Sequence, residues 1–402
     1  MIPLTPPRHL RLPTVLTFVV LTGSSAFATD GAPESVPRKH PDAVAAGLKP
    51  EVLQSLDAAL QQQVDDSHVS GVIGYISGNG KVGYFESFGQ RVIEPAAAME
   101  KDSLFRIFSM TKPIVAATAM SLWEEEKFKL DDPISGHLPE WKDVQVYVDG
   151  KIVPAKTPVT PRHLMTHSAG LSYDRDGLAL GDDDSLQAFS ESVAARPLEF
   201  QPGTDYRYGY SIDILGRYIE AVEGRSLDEV MRERVFNPLQ MKDTDFWVKK
   251  ESDRDRVAIV YGKRDGKLVP FMGIDPVMEK PARMMGGQGL MGSTSDYARF
   301  CHMLMNKGEL GGVRILKADT VELMFQNHLK DIGQSYGLGG QVDGKGMYFW
   351  GGAAGTKFWV NTADRTHGVF MIQRWGYEPP TYKIFQRHVL KAFAREETDD
   401  PE

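Results

Sequence analysis

Apolar positions change their period along this chain, and the changes divide it. From Glu51, the residues Val52, Leu53, Leu56, Ala59 and Leu60 recur at three and four positions, which predicts an amphipathic helix. The period then shortens: Val72 to Ser77 and Val82 to Phe88 flank Gly78-Asn79-Gly80-Lys81, the signature of a β-hairpin. Three further strands are predicted near the other end, over Met347 to Trp350, Lys357 to Asn361 and Gly368 to Trp375. A helical tail follows from Thr381 to about Glu396. Between the two β regions, residues 124–296 read mainly as helix broken by Pro and Gly loops. The pattern predicts an α/β (α+β) protein with one antiparallel sheet, flanked by helices and built from both chain ends. An all-helical domain would be inserted between them. The sheet part would span residues 50–123 and 297–396, and residues 397–402 would form an acidic tail.

The first residues carry a different pattern. Met1 to Ala28 holds no Asp or Glu, has Arg8, His9 and Arg11 early, then runs apolar from Leu12 to Leu21 and closes on Ala26-Phe27-Ala28. A basic start, a short apolar run and an A-x-A end predict a secretory signal peptide cleaved after Ala28, hence a periplasmic or secreted protein. The apolar run, broken by Pro13, is well short of the roughly 20 residues that span a bilayer as a helix. Residues 29–49, rich in Pro, Ala and charge without period, read as a flexible leader. No later stretch reaches spanning length, so no membrane span is expected in the mature chain.

Composition narrows the function classes. The 402 residues carry 46 Lys+Arg against 54 Asp+Glu, a net charge of −8, which leaves no basic footprint for nucleic acid. The single cysteine, Cys301, excludes an internal disulfide and a multi-thiolate zinc site. Asp182-Asp183-Asp184 lacks the alternating ligand spacing of a calcium loop and reads as a solvated turn. His163 and His167 stand four apart, as zinc ligands can, but Pro161 and Ser168-Ala169-Gly170 read as a helix with its ends. No metal and no cofactor are expected.

Two serine motifs remain. Gly333-Gln334-Ser335-Tyr336-Gly337 has the spacing of a nucleophile elbow, but Leu338-Gly339-Gly340 cannot supply the helix that such an elbow needs. Ser109-Met110-Thr111-Lys112 precedes an Ala-rich helical run, with Pro113 tolerable in the first turn. Three-residue spacing stacks Lys112 over Ser109 on one helix face. A serine hydroxyl needs a neighbour to take its proton, and a buried amine can be that neighbour. The Ser109 N–H at a helix start can also serve as an oxyanion donor.

The stretch Phe108-Ser109-Met110-Thr111-Lys112-Pro113 with Leu130-Asp131-Asp132-Pro133-Ile134 and Leu138-Pro139-Glu140-Trp141 resembles the penicillin-recognising serine hydrolase superfamily. Within it, the class C β-lactamase-like family and its family VIII carboxylesterases are most similar. Further matches run through Thr160 to Leu171, Gln201 to Thr204, Ile214 to Gly216, Gly286 to Thr294, Trp350 to Gly355 and Phe358 to Val360. The resemblance implies Ser109 as the acylated nucleophile, Lys112 as its base partner and a tyrosine acid/base. That tyrosine falls on Tyr208 by counting from both flanking motifs, with Tyr210 as the alternative. It also implies Ala353 as second oxyanion donor, and a substrate wall of Trp350, Gly351, Gly352 and Tyr210. Two positions depart from penicillin-active relatives: Tyr210 stands where they carry Asn, and Trp350 where they carry a Lys or His. A hydrophobic residue at the second position suits a neutral ester. The resemblance therefore implies a carboxylesterase for short acyl chains, working through an acyl-enzyme on a small ester or amide. A weak β-lactamase or D-alanyl-D-alanine carboxypeptidase is the alternative of the same class. A non-catalytic binding or sensor module of the same fold is the alternative of another.

Overall fold

A computed structural model describes residues 40–173, 184–376 and 380–393. The segment predicted to be a signal peptide, most of the predicted leader, Asp182 and Asp183, Glu396 and the predicted acidic tail lie outside these residues. The description concerns the unit spanning residues 39–402.

The helix α1, Pro50–Asp65, buries Leu53, Leu56 and Leu60, the stripe that the spacing predicts, and Pro50 starts it where no N–H is needed. The strands β1 (Gly71–Gly78) and β2 (Lys81–Val92) follow. They are joined through Asn79 (φ 51°) and Gly80 (φ 72°), the left-handed pair of a tight hairpin turn. A short β3 (Ala97–Ala98) closes this edge. From the other chain end come β4 (Gln341–Val342), β5 (Met347–Gly351), β6 (Lys357–Asn361) and β7 (Thr366–Met371). The sheet order is β4-β5-β6-β7-β1-β2-β3, and β1 pairs antiparallel with β7, Ile73 opposite Met371 and Gly78 opposite Thr366. Both ends of the chain thus share one sheet.

Period-two alternation sends β1 side chains to two cores. Val72 and Ile76 pack with α1 and with the C-terminal helix, Thr381–Ala392, through Leu56, Leu60, Phe385 and Val389. Ile73 and Tyr75 face the larger core, which holds the helix α2 (Thr111–Glu124) and the helix Thr294–Met305. α2 is buried from Thr111 through Leu122, so it is a central helix with no solvent face to speak of. Pro113 sits in its first turn.

Three expectations need correction. The leader does not stay loose up to residue 49: His40 is buried and bonds Asp57 at 3.2 Å, and Ala43, Ala46 and Leu48 join the core around α1. Their small apolar side chains carry no period because they pack in irregular turns. The middle is not all helical either. It holds α3 (Pro161–Met165), α4 (Leu186–Ala194), α5 (Ser211–Glu223) and α6 (Leu227–Met231), but also hairpins over Gln145–Val148/Lys151–Pro154 and Val260–Arg264/Lys267–Met272. The turns Asp149-Gly150 and Asp265-Gly266, with positive φ throughout, were the local signal for both. Finally, Met291–Ser293 pairs with Leu104–Arg106, so the chain rejoins the sheet side before residue 297.

Among the described residues no helix is long and apolar enough to cross a membrane.

Gly368 on β7 lies directly opposite Trp359 on β6, and a Cβ there would meet the indole at 1.9 Å. Trp359 is itself 9% exposed and packed against Phe385, so it has little room to yield. Gly368→Val is expected to lower stability by about 1–3 kcal/mol, the usual range for overpacking, which urea denaturation would measure. An unchanged midpoint would mean that the indole moves freely.

Candidate active site

Phe108 is the entry point. Its φ of +46° is a left-handed conformation that costs a bulky residue energy, and it turns the chain sharply between the strand Leu104–Arg106 and α2. Ser109 sits in the resulting short turn, Phe108–Met110, and is only half-buried. One helical turn on, Lys112 is fully buried. Its Nζ donates to Ser109 Oγ at 3.1 Å, to Tyr173 Oη at 3.1 Å and to the Gly287 carbonyl at 2.6 Å. Each of the three directions of the nitrogen thus meets an oxygen, and the two hydroxyls among them can donate or accept.

Tyr208 completes the cluster, its Oη 2.7 Å from Ser109 Oγ. Lys112 Nζ lies 4.6 Å from the Tyr208 ring centroid, so the amine also faces the aromatic cloud. The segment before α5 is held close to the segment after α3. A Cβ on Gly209 would meet the Leu171 carbonyl at 2.4 Å, so only glycine permits that approach. Arg207 N–H donates to the His167 carbonyl, and the His167 ring packs on Tyr208 at 4.7 Å between centroids. Burial, and then the charge of Lys112, push His167 well below the usual imidazole range, so it is a neutral wall. Burial, with the Asp213 carboxylate next, pushes the Tyr173 phenol up, so it stays protonated.

The opposite wall comes from the sheet. Trp350 on β5 packs against Tyr208 and Tyr336, at 5.4 and 5.3 Å between centroids. Beyond Gly351, the turn at 352–356 presses onto the start of the nucleophile turn. A Cβ on Gly352 would meet the Ile107 carbonyl at 2.4 Å, and Thr356 Oγ1 donates to that carbonyl at 3.3 Å. This contact brings the turn carrying the exposed Ala353 beside the turn carrying Ser109. Two N–H groups on adjoining turns are the arrangement an oxyanion hole uses.

Of the residues predicted from sequence, Ser109, Lys112 and Tyr208 come together in direct contact, and Trp350 lines the same place. Gly351 and Gly352 shape the wall by what they lack, a Cβ. Tyr210 is corrected: it is 3% exposed and packs between Tyr173 and Phe189, at 4.9 and 5.1 Å. It stands at the N-terminus of α5, where the helix turns its ring inward, so it supports Tyr173 from behind and does not line the site. Ser335 is exposed and follows a short 3-10 turn, Lys330–Ile332, with no strand ahead of it and no helix behind. His163 sits in α3, where its backbone N–H is capped by Thr160. Four neighbours were missed: Tyr173, His167, Asp213 and Gly287. Tyr173 stands two residues past the block Thr160 to Leu171, and Gly287 lies inside the block Gly286 to Thr294. The blocks were visible, but contact with Lys112 depends on the fold.

Comparison with known proteins agrees with this fold. The family model described as beta-lactamase matches residues 56–391. Protein Rv1367c of Mycobacterium tuberculosis is 31% identical over 362 residues, 80% of this chain and 90% of that one. Esterase EstB of Burkholderia gladioli is 31% identical over 274 residues, 61% of this chain and 68% of its own. Among solved structures, EstCE1, described as a hydrolase with promiscuous acyltransferase activity, superposes with a TM-score of 0.73 at 25% identity. It covers 84% of this chain and 98% of that one. Unliganded simvastatin synthase (LovD) from Aspergillus terreus has the same TM-score at 22% identity, covering 86% and 99%, and shares the fold. A match of this extent places the chain in the beta-lactamase family, within the penicillin-recognising serine hydrolase superfamily.

Proposed function

We propose that this protein hydrolyses neutral carboxylic esters of short acyl chains through an acyl-enzyme on Ser109. One observation carries the reading. The Ser109 hydroxyl touches both Lys112 and Tyr208, while the place where penicillin-active relatives put a cation holds Trp350. An indole beside two tyrosine rings offers apolar contact and no charge for the carboxylate of a β-lactam or a peptide C-terminus. The similarity to EstB and EstCE1 supports the same class of reaction.

In this mechanism Ser109 Oγ attacks the ester carbonyl carbon while its proton passes to the Lys112–Tyr208 pair. The developing oxyanion is held by the N–H groups of Ser109 and Ala353. Tyr208, nearest the reacting oxygen, then gives a proton to the alkoxide as the carbon–oxygen bond breaks, and the alcohol leaves. Water attacks the acyl-enzyme, its proton returns through Tyr208, and the carboxylic acid departs with Ser109 restored. Several relatives are named as acyltransferases, among them acyltransferase mokF of Monascus pilosus, 26% identical over 296 residues. The same acyl-enzyme would serve such a reaction if an alcohol took the place of water.

A fluorophosphonate should label the protein once, on Ser109, by mass spectrometry of its peptides. p-Nitrophenyl acetate should turn over far faster than nitrocefin. An adduct on Ser335, or nitrocefin hydrolysis as fast as the ester's, would contradict the reading.

The two tyrosines separate cleanly. Tyr208→Phe is expected to lower kcat by about a hundredfold or more, the usual share of a general acid/base. Tyr210→Phe, altering a ring behind the site, should keep kcat within a few-fold. Steady-state kinetics of the two variants decide the assignment, and the reverse ranking would move the role to Tyr210.

A further inference from the structure

Asp213 is a fully buried carboxylate on α5 that the mechanism above does not use. Its Oδ1 accepts the Gly287 N–H at 2.7 Å, and its Oδ2 has no hydrogen-bond partner among the described residues. A buried carboxylate with an unsatisfied oxygen is costly, so its place needs a reason. Gly287 shows one. A Cβ there would meet Asp213 Oδ2 at 2.5 Å, so Gly287 is glycine because the carboxylate occupies that side of its Cα. The carbonyl of the same residue accepts from Lys112 Nζ at 2.6 Å. Asp213 and Lys112, both fully buried, therefore hold one glycine between them.

The chemistry of the amine makes that glycine matter. A carbonyl can only accept, so Gly287 takes one N–H of Lys112 in either protonation state. Ser109 and Tyr173 are hydroxyls that can accept or donate, and the other two directions of the nitrogen point at them. We propose that Asp213 is a positioning residue for Lys112: by holding the Gly287 N–H it fixes the carbonyl that sets the rotation of the amine toward Ser109. The inference rests on the serine hydrolase reading and adds a group to it that touches neither substrate nor nucleophile.

The charges facing Asp213 are few. Lys112 approaches from α2 and Arg283 from the segment before Gly287, and the Tyr173 phenol stands nearby. Arg283 is itself paired with Asp184 at 2.6 Å. Burial raises Asp213 to about 6, against the pull of Lys112 and of the Gly287 N–H. Above that pH the carboxylate is charged and grips the N–H; below it the proton weakens the grip. Turnover should therefore fall as pH drops through about 6.

The test compares wild type with Asp213→Asn, using p-nitrophenyl acetate from pH 5 to 9 together with melting temperatures. The variant is isosteric and should lower kcat about tenfold at pH 8, leave KM within twofold, and lose the step near pH 6. Its melting temperature at pH 7 should not fall, because a buried charge has been removed. A variant with wild-type kcat, a step that persists, or a lower kcat accompanied by a fall in melting temperature would overturn the inference while leaving the esterase reading in place. If wild type neither turns over the ester nor takes a fluorophosphonate on Ser109, both fall together.

Discussion

The structure of this site depends on hiding one amine from water. Burying an isolated ammonium costs several kcal/mol even after relaxation. Here each direction of the Lys112 nitrogen meets an oxygen from a different stretch of chain: the nucleophile turn, the segment after α3 and the segment before Met291–Ser293. Leaving a buried polar group without a partner costs about 1–3 kcal/mol, a cost that these three contacts avoid. The consequence is geometric. Three segments that are far apart in sequence are pinned to one nitrogen, and the serine beside it is held in the same act.

The rest of the fold can be read as support for that point. α2 is buried on all sides because it must carry Lys112 into the interior, and its apolar surface is what places the amine there. The sheet formed from both chain ends brings β5 and the turn after it to the opening of α2. Glycine does the close work on all three sides. Gly352 lets the sheet turn touch Ile107, Gly209 lets the tyrosine segment touch Leu171, and Gly287 leaves room for Asp213. Each is a contact of backbone or carboxylate where a methyl group would force the wall away from the nucleophile. The strained Phe108 belongs to the same economy, since a relaxed φ would swing Ser109 off the helix axis.

How far the sequence reveals this differs by level. The hairpin at Asn79-Gly80, the amphipathic α1 and the three C-terminal strands are local patterns, and the structure has them within a few residues. Ser109 and Lys112 were legible because their juxtaposition needs only a helix. Tyr208 was legible because two flanking motifs could be counted to the same position. Tyr210 could not be separated from its neighbour by pattern, since which ring turns inward is decided at the first turn of α5. Tyr173, Asp213 and Gly287 were invisible as a group. Their spacing along the chain carries no signal, and only the fold sets all three around one amine. The two hairpins in the middle were missed for a different reason: their strands are short and each pair has one mostly exposed member, Lys151–Pro154 and Lys267–Met272, so they lack the sustained apolar alternation that marks a buried strand.

The central claim is that the buried Lys112 amine activates Ser109. Pre-steady-state hydrolysis of p-nitrophenyl acetate by Lys112→Met tests it most directly, because methionine fills much of the same space without a nitrogen. Wild type should release a burst of nitrophenol near one equivalent as Ser109 is acylated, and the variant should show no burst, with acylation slowed by about a thousandfold, within the range that a positioned base contributes. A burst of wild-type size and rate in a folded Lys112→Met protein would contradict the account.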